Sequence, residues 1–239
     1  MTPISRGAPW GEPCEPPDQM APDLPTAMEA AKGSQSPVGI LPSKLQPDLV
    51  RQLGLRTSKP SNTLVFTDWI LYSLDVLVVE LQESPRSPWN SFQGGVGVEV
   101  GARAVRRSWD LRRGFEVQRS NSNELVECWS VAIMNGAFSQ GSQINPGSHL
   151  NDGRCEMITF SVPRPQRREL RIRMRSGSHF PHPAVTRSRG TSFDVSLTSA
   201  QKIWVDGQFV GRAERLRVSI ADHPLHLCVP LMTGELSAT

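Results

Sequence analysis

From residue 63 onward the chain is a succession of short β-branched and apolar runs cut by proline, glycine and polar clusters, a pattern that favours strands. The run 74–81 (Leu-Asp-Val-Leu-Val-Val-Glu-Leu) is the clearest, closed by the turn cluster Glu83-Ser-Pro-Arg-Ser-Pro88. The stretches 92–100, 129–134, 156–162, 193–197, 202–205, 216–220 and 225–229 read the same way. About eight strands in about 160 residues, with few helical intervals, predict a mainly β chain built as an antiparallel two-layer sandwich. The stretch 164–175 reads two ways, because Leu170, Ile172 and Met174 alternate like a strand while Arg-Arg-Glu-Leu has helix propensity.

The first quarter differs. Ten of the 20 prolines fall in residues 1–47. Proline lacks the backbone donor that a ladder needs, so 1–36 is expected to be disordered, with one short helix around 24–32. Order is expected from Pro37-Val-Gly-Ile-Leu-Pro42, a brief strand, followed by a short helix over 48–55 on the apolar face of Leu49, Val50 and Leu53. The expected division is a proline-rich segment 1–36, a short αβ segment 37–66, a β-sandwich 67–230 and a tail 231–239.

Several functions are excluded or weakened by simple chemistry. No uncharged apolar run approaches the ~18 residues of a spanning helix, and the N-terminus has no apolar h-region. The expected location is therefore the cytoplasm, with peripheral membrane contact open. Cys14, Cys128, Cys155 and Cys228 are scattered, which argues against a zinc ribbon or a disulfide scaffold. A net charge of +3 is too small to argue for nucleic acid, although the positive charge is carried by 22 arginines and only 4 lysines. The arginine groups 103–113 and 164–175 fit solvated faces or a surface for lipid headgroups or an anionic membrane.

Two constellations stand out. Asn135-Gly-Ala-Phe-Ser-Gln-Gly141 is followed by Asn145-Pro-Gly-Ser-His-Leu-Asn-Asp-Gly153, where a carboxylate in an Asn-Asp-Gly turn beside carbonyls suits Mg²⁺ or Ca²⁺ as well as it suits a plain turn. Val205-Asp-Gly-Gln-Phe209 reads as a hairpin turn. Gly95-Val-Gly97 has the wrong spacing for a dinucleotide loop. His179/His182 and His223/His226 are separated by prolines that forbid the helical spacing of a zinc pair.

In this order the segments resemble the diacylglycerol kinase-like lipid kinases, a family that includes bacterial lipid kinases and the sphingosine and ceramide kinases. The resemblance rests on Asn135-Gly136, on Pro146-Gly-Ser-His-Leu-Asn-Asp-Gly153, on His182-Pro-Ala-Val185 and on Asp206-Gly-Gln208. Upstream, Val38-Gly-Ile-Leu-Pro42 and Asp48-Leu-Val-Arg-Gln-Leu-Gly54 look like the segment that closes the family's nucleotide domain, and Leu74-Asp-Val-Leu looks like the entry into its second domain. The resemblance implies transfer of the ATP γ-phosphoryl to a lipid hydroxyl. It implies a structural Mg²⁺ held by Asp152 with main-chain oxygens of His149 and Arg154, and a proton acceptor at position 208.

The chain departs from that pattern where the chemistry is most demanding. It contains no GGDGT phosphate loop, and the residues before Val38 are too few to build the rest of a nucleotide domain. Leu45 stands where the family has a nucleotide-contacting threonine, and Pro47 removes a backbone donor. Gln208 stands at the family's glutamate, and an amide does not accept a proton at neutral pH. Two readings follow: a non-catalytic module that binds lipid or a protein partner, and a kinase of low activity or one completed by another chain. A homodimer or partner is expected on the face near Asp152 and Gln208.

Overall fold

The computed structural model describes residues 11–31, 36–55, 68–101, 115–119 and 125–231. The chain divides into two compact units, Met1–Leu74 with His223–Thr239, and Asp75–Asp222. Strands are numbered β1–β17 and helices α1–α3 along the chain.

The first unit holds a five-stranded sheet of β1 (Glu12–Cys14), β2 (Met20–Ala21), β3 (Val38–Ile40), β4 (Asp68–Leu74) and β17 (Leu225–Leu231), in the order β1-β4-β17-β3-β2. Here β4 and β17 pair antiparallel, while β3 runs parallel to β17. Two short helices accompany it, α1 (Leu24–Ala30) and α2 (Pro47–Gln52). The strands 68–74 and 225–231 therefore belong to this unit, not to the sandwich that the sequence pattern placed over 67–230. The expectation of disorder over 1–36 is corrected as well, since residues 11–31 carry two strands and a helix. Pro16, Pro17 and Pro25 do not prevent this because they occupy places that need no ladder donor. Pro25 sits in the first turn of α1, whose N-terminus is capped by Asp23 accepting from the Thr26 N–H at 2.8 Å. Pro16 and Pro17 lie in the crossover from β1 to β2. That crossover runs close over Gly39, where an added Cβ would lie 2.5 Å from Pro17 Cγ and 3.2 Å from the Gln19 carbonyl.

The second unit is built on one ten-stranded antiparallel sheet. Its strands are β5 (Leu77–Gln82), β6 (Asn90–Gln93), β7 (Gly97–Gly101), β8 (Phe115–Arg119), β9 (Leu125–Cys128), β10 (Ser130–Met134), β13 (Cys155–Phe160), β14 (Val185–Gly190), β15 (Ser192–Val205) and β16 (Gln208–Ile220). The main path runs β14-β13-β10-β7-β15-β16-β5-β6, and β8 joins β15 to β9. A two-stranded hairpin, β11 (Phe138–Ser139) with β12 (Ser142–Gln143), and helix α3 (Arg167–Met174) complete the unit. The fold is thus mainly β and antiparallel, as the sequence pattern predicts. The stretches 193–197 and 202–205 turn out to be one 14-residue strand, with register shifts against β16 between Ser196 and Gln201 and between Ile203 and Trp204.

Strand β10 is buried along its whole length because both of its faces are covered. Val131 and Ile133 join one core with Leu77, Val79, Val98 and Val218. Ala132 and Met134 join a second core with Phe160, Leu170 and Met174. Period-2 alternation with both faces buried yields a continuous apolar run, as in Val-Ala-Ile-Met. The ambiguous 164–175 segment is a 3₁₀ turn followed by α3, which buries Leu170 and Met174 one turn apart and sets the Arg167 guanidinium 5.3 Å over the Trp129 ring. The arginine group 103–113 lies outside the described residues. Among the described residues no helix is long and apolar enough to cross a membrane.

His179 lies wholly inside the second core, and its Nε2 is 2.9 Å from the Ile144 carbonyl. Burial holds its pKa down at about 4, with Arg173, His182 and Arg187 adding to the effect. The unfolded chain takes up this proton near pH 6.5 and the folded one only near 4. Its contribution is therefore full above pH 6.5 and is lost as pH falls to about 4, by up to about 3 kcal/mol. Urea unfolding across that window is expected to show the decline, and His179→Gln to flatten it.

Candidate functional site

The segments singled out in the sequence meet at two neighbouring places in the second unit. The first is the β15–β16 hairpin. Asp206 and Gly207 adopt φ values of +45° and +79°, the left-handed pair of a two-residue turn, and Val205 pairs with Gln208 across it. The Asp206 carboxylate turns inward rather than toward solvent. Its Oδ1 accepts the Val96 N–H at 3.1 Å and the Gly97 N–H at 2.9 Å, and its own N–H donates to the Gly97 carbonyl at 2.9 Å. Gly95 packs against this carboxylate so closely that a Cβ would fall 1.3 Å from Oδ2. The Val96 carbonyl in turn accepts the N–H groups of Asn135 and Gly136 at 3.1 and 3.3 Å. The Asn-Gly and Asp-Gly segments are thus joined through the 95–97 backbone, and Gln208 stands exposed at the first position of β16.

The second place is the 149–154 turn. The Gly153 N–H donates to Asp75 Oδ2 at 2.7 Å, and the Asn135 side-chain amide donates to the Asp75 carbonyl. Burial raises the Asp75 pKa, and the nearby Asp152 charge adds to the rise. Asp152 Oδ1 accepts the Arg154 N–H at 3.0 Å, while Oδ2 pairs with the Arg189 guanidinium. Arg189 also meets the buried Glu156 at 3.2 Å, directly across the β13–β14 ladder. Asn145 Nδ2 holds the other Glu156 oxygen at 2.9 Å.

This arrangement bears on the expected Mg²⁺. Both Asp152 oxygens already have donors, the Arg154 N–H on Oδ1 and the Arg189 guanidinium on Oδ2. Among the described residues no three His, Cys, Asp or Glu side chains gather as a metal-binding group. The Arg189 guanidinium supplies positive charge at the one carboxylate of the expected set and competes with a divalent cation for it. The melting temperature is accordingly expected to be indifferent to millimolar Mg²⁺. Arg189→Ala is expected to lower stability by about 1–2 kcal/mol, since it strips the buried Glu156 of its counter-charge. A Mg²⁺-dependent rise in melting temperature in the unaltered protein would contradict this.

The remaining sequence candidates are structural or lie elsewhere. Leu45 is buried in the first unit, just after the 3₁₀ turn Pro42–Lys44. The His182 Nδ1 accepts the Ala184 N–H at 3.1 Å, and His226 Nδ1 lies 2.9 Å from Ser73 Oγ. Sequence reasoning missed Asp75, Glu156 and Arg189. Asp75 sits between apolar runs and reads as part of a strand, and nothing in Thr-Arg-Ser-Arg-Gly marks Arg189 as a partner for the distant turn.

An antiparallel β unit whose Asn135-Gly136 segment and Asp206-Gly207 hairpin turn meet through the 95–97 backbone, with the Asp152-Gly153 turn held by Asp75, defines the architecture. No family model matches the chain, and no curated protein matches it. Solved structures do. The chain is similar to a protein from Bacillus anthracis str. Sterne described as a diacylglycerol kinase, at a TM-score of 0.56 and 11% identity, covering 86% of this chain and 74% of that one. A second structure so described, from the same organism, aligns at a TM-score of 0.52 and 10% identity over 89% of this chain and 84% of that chain. The fold is diacylglycerol kinase-like.

Proposed function

We propose that the chain is a lipid kinase-like module that acts by binding lipid or a protein partner and transfers no phosphoryl group by itself. The observation that carries this reading is the state of the Asp206-Gly207-Gln208 turn. Its carboxylate is held by the Val96 and Gly97 amides, and the residue that follows the turn is an exposed neutral amide. A general base must reach the proton that it removes and must be able to take it. Gln208 fails the second condition, because a neutral amide does not take up a proton at neutral pH. The buried Leu45 supports the same reading, since a leucine offers no hydroxyl to a nucleotide.

Calorimetric titration tests this. Mg-ATP is expected to give no saturable heat, whereas a short-chain diacylglycerol is expected to give a measurable isotherm. A saturable ATP isotherm would overturn the non-catalytic reading and favour a low-activity kinase. Failure of both titrations would overturn the lipid-directed part and leave a protein-binding module.

A further inference from the structure

The tip of the β15–β16 hairpin carries apolar surface that the fold does not use. Phe209 is 52% exposed and Val210 37% exposed, immediately after the turn. Phe209 packs edge-on against Trp204, its partner across the ladder, with ring centroids 5.2 Å apart. Two residues further from the tip, Lys202 and Arg212 face each other directly across the same ladder, and both are exposed. Like charges placed opposite each other in an antiparallel pair are mutually destabilising. An anion between them would reverse the sign of that interaction.

The surrounding carboxylates do not supply the anion. Asp206 is turned onto the Val96 and Gly97 amides. Glu99, which lies opposite Trp204 on β7, is buried and accepts from Ser139 and Gln140. Glu214, two residues beyond Arg212, is half-buried. An aromatic and aliphatic tip backed by two exposed cations has the composition of a membrane-interface element. Apolar rings enter the headgroup boundary, and long cationic side chains reach the phosphates.

We propose that this hairpin face, Trp204, Phe209 and Val210 with Lys202 and Arg212, docks on an anionic phospholipid bilayer. Beyond the hairpin geometry, it rests on the lipid-directed reading above only for the choice of partner. The tip is small, so binding is peripheral and depends on both contributions. Each cation near an anionic leaflet contributes about fivefold to partition, and the pair roughly thirtyfold.

Co-sedimentation with phosphatidylcholine vesicles, with and without 30% phosphatidic acid, tests the proposal in the full chain. The protein is expected to sediment with the anionic vesicles only, and to be released by high salt. Lys202→Ala/Arg212→Ala is expected to weaken partition roughly thirtyfold and Phe209→Ser about tenfold. Unchanged circular dichroism melts would show that the variants fold. Wild-type protein left in the supernatant would overturn the proposal, as would a double variant that sediments like wild type. A dimer that Phe209→Ser converts to monomer, without any vesicle binding, would make the face a contact between two copies and also overturn it. The ATP titration is independent of these outcomes, so failure here leaves the non-catalytic reading standing or falling on its own.

Discussion

Gly95→Ala is expected to destabilise the protein by about 3 kcal/mol. The cost is one of space alone, since Gly95 is not among the residues with positive φ. Its Cβ would fall 1.3 Å from Asp206 Oδ2 and 2.4 Å from Cγ, and the carboxylate is short and already held. Something must move, and the hydrogen bonds from Val96 and Gly97 are what give way. Two backbone donors then lose a charged acceptor, on top of the overpacking strain. Asp206→Ala removes the same acceptor and is expected to destabilise by a similar amount. It also removes the atoms with which the new methyl collides, so Gly95→Ala in that background is expected to cost less than about 1 kcal/mol. Urea unfolding of the two single variants and the double variant closes the cycle. Additive effects would mean that the carboxylate and the glycine do not act as one unit.

How much of this was legible beforehand follows from the range of the interactions. Strand content, the hairpin at Asp206-Gly207 and the short helix after Pro47 are set by local chemistry, namely β-branched runs, left-handed turn residues and proline in a first turn, and each is readable in place. The order of motifs also sufficed to suggest a diacylglycerol kinase-like fold. Long-range pairing was not readable. Cys14 and Cys228 look unrelated at a separation of 214 residues, yet their sulfurs lie 3.0 Å apart because β1 and β17 both flank β4. The Arg189 pairing with Asp152 and Glu156 is hidden in the same way, since it exists only once β14 adds to the edge of β13. The inward turn of Asp206 could not be read either. Its sequence marks a turn but not the amides 110 residues away that hold the carboxylate. The proline-rich start misled for a different reason: proline count measures lost donors, and Pro16, Pro17 and Pro25 lie where no ladder donor is needed.

In a transfer assay with radiolabelled ATP, Mg²⁺ and either diacylglycerol or a sphingoid base, the protein is expected to yield no labelled lipid phosphate above a no-protein control. Loss of a general base alone slows a dependent step by roughly 10²–10⁴-fold. Phosphoryl transfer also depends on positioning and charge stabilisation of the nucleotide. The buried Leu45 offers no hydroxyl for that purpose, and the Arg189 guanidinium occupies the Asp-Gly turn. Gln208→Glu separates the two defects. The side chain is exposed and sits at the first position of β16, so the substitution leaves the fold and the inward Asp206 undisturbed. If the missing base were the sole defect, a carboxylate at this position would restore labelled product by two orders of magnitude or more. The expected result is no gain, because a restored base has no positioned nucleotide to serve. Labelled phosphatidic acid from Gln208→Glu would reassign the chain to a kinase silenced at one residue. Label from the unaltered protein would overturn the non-catalytic reading outright.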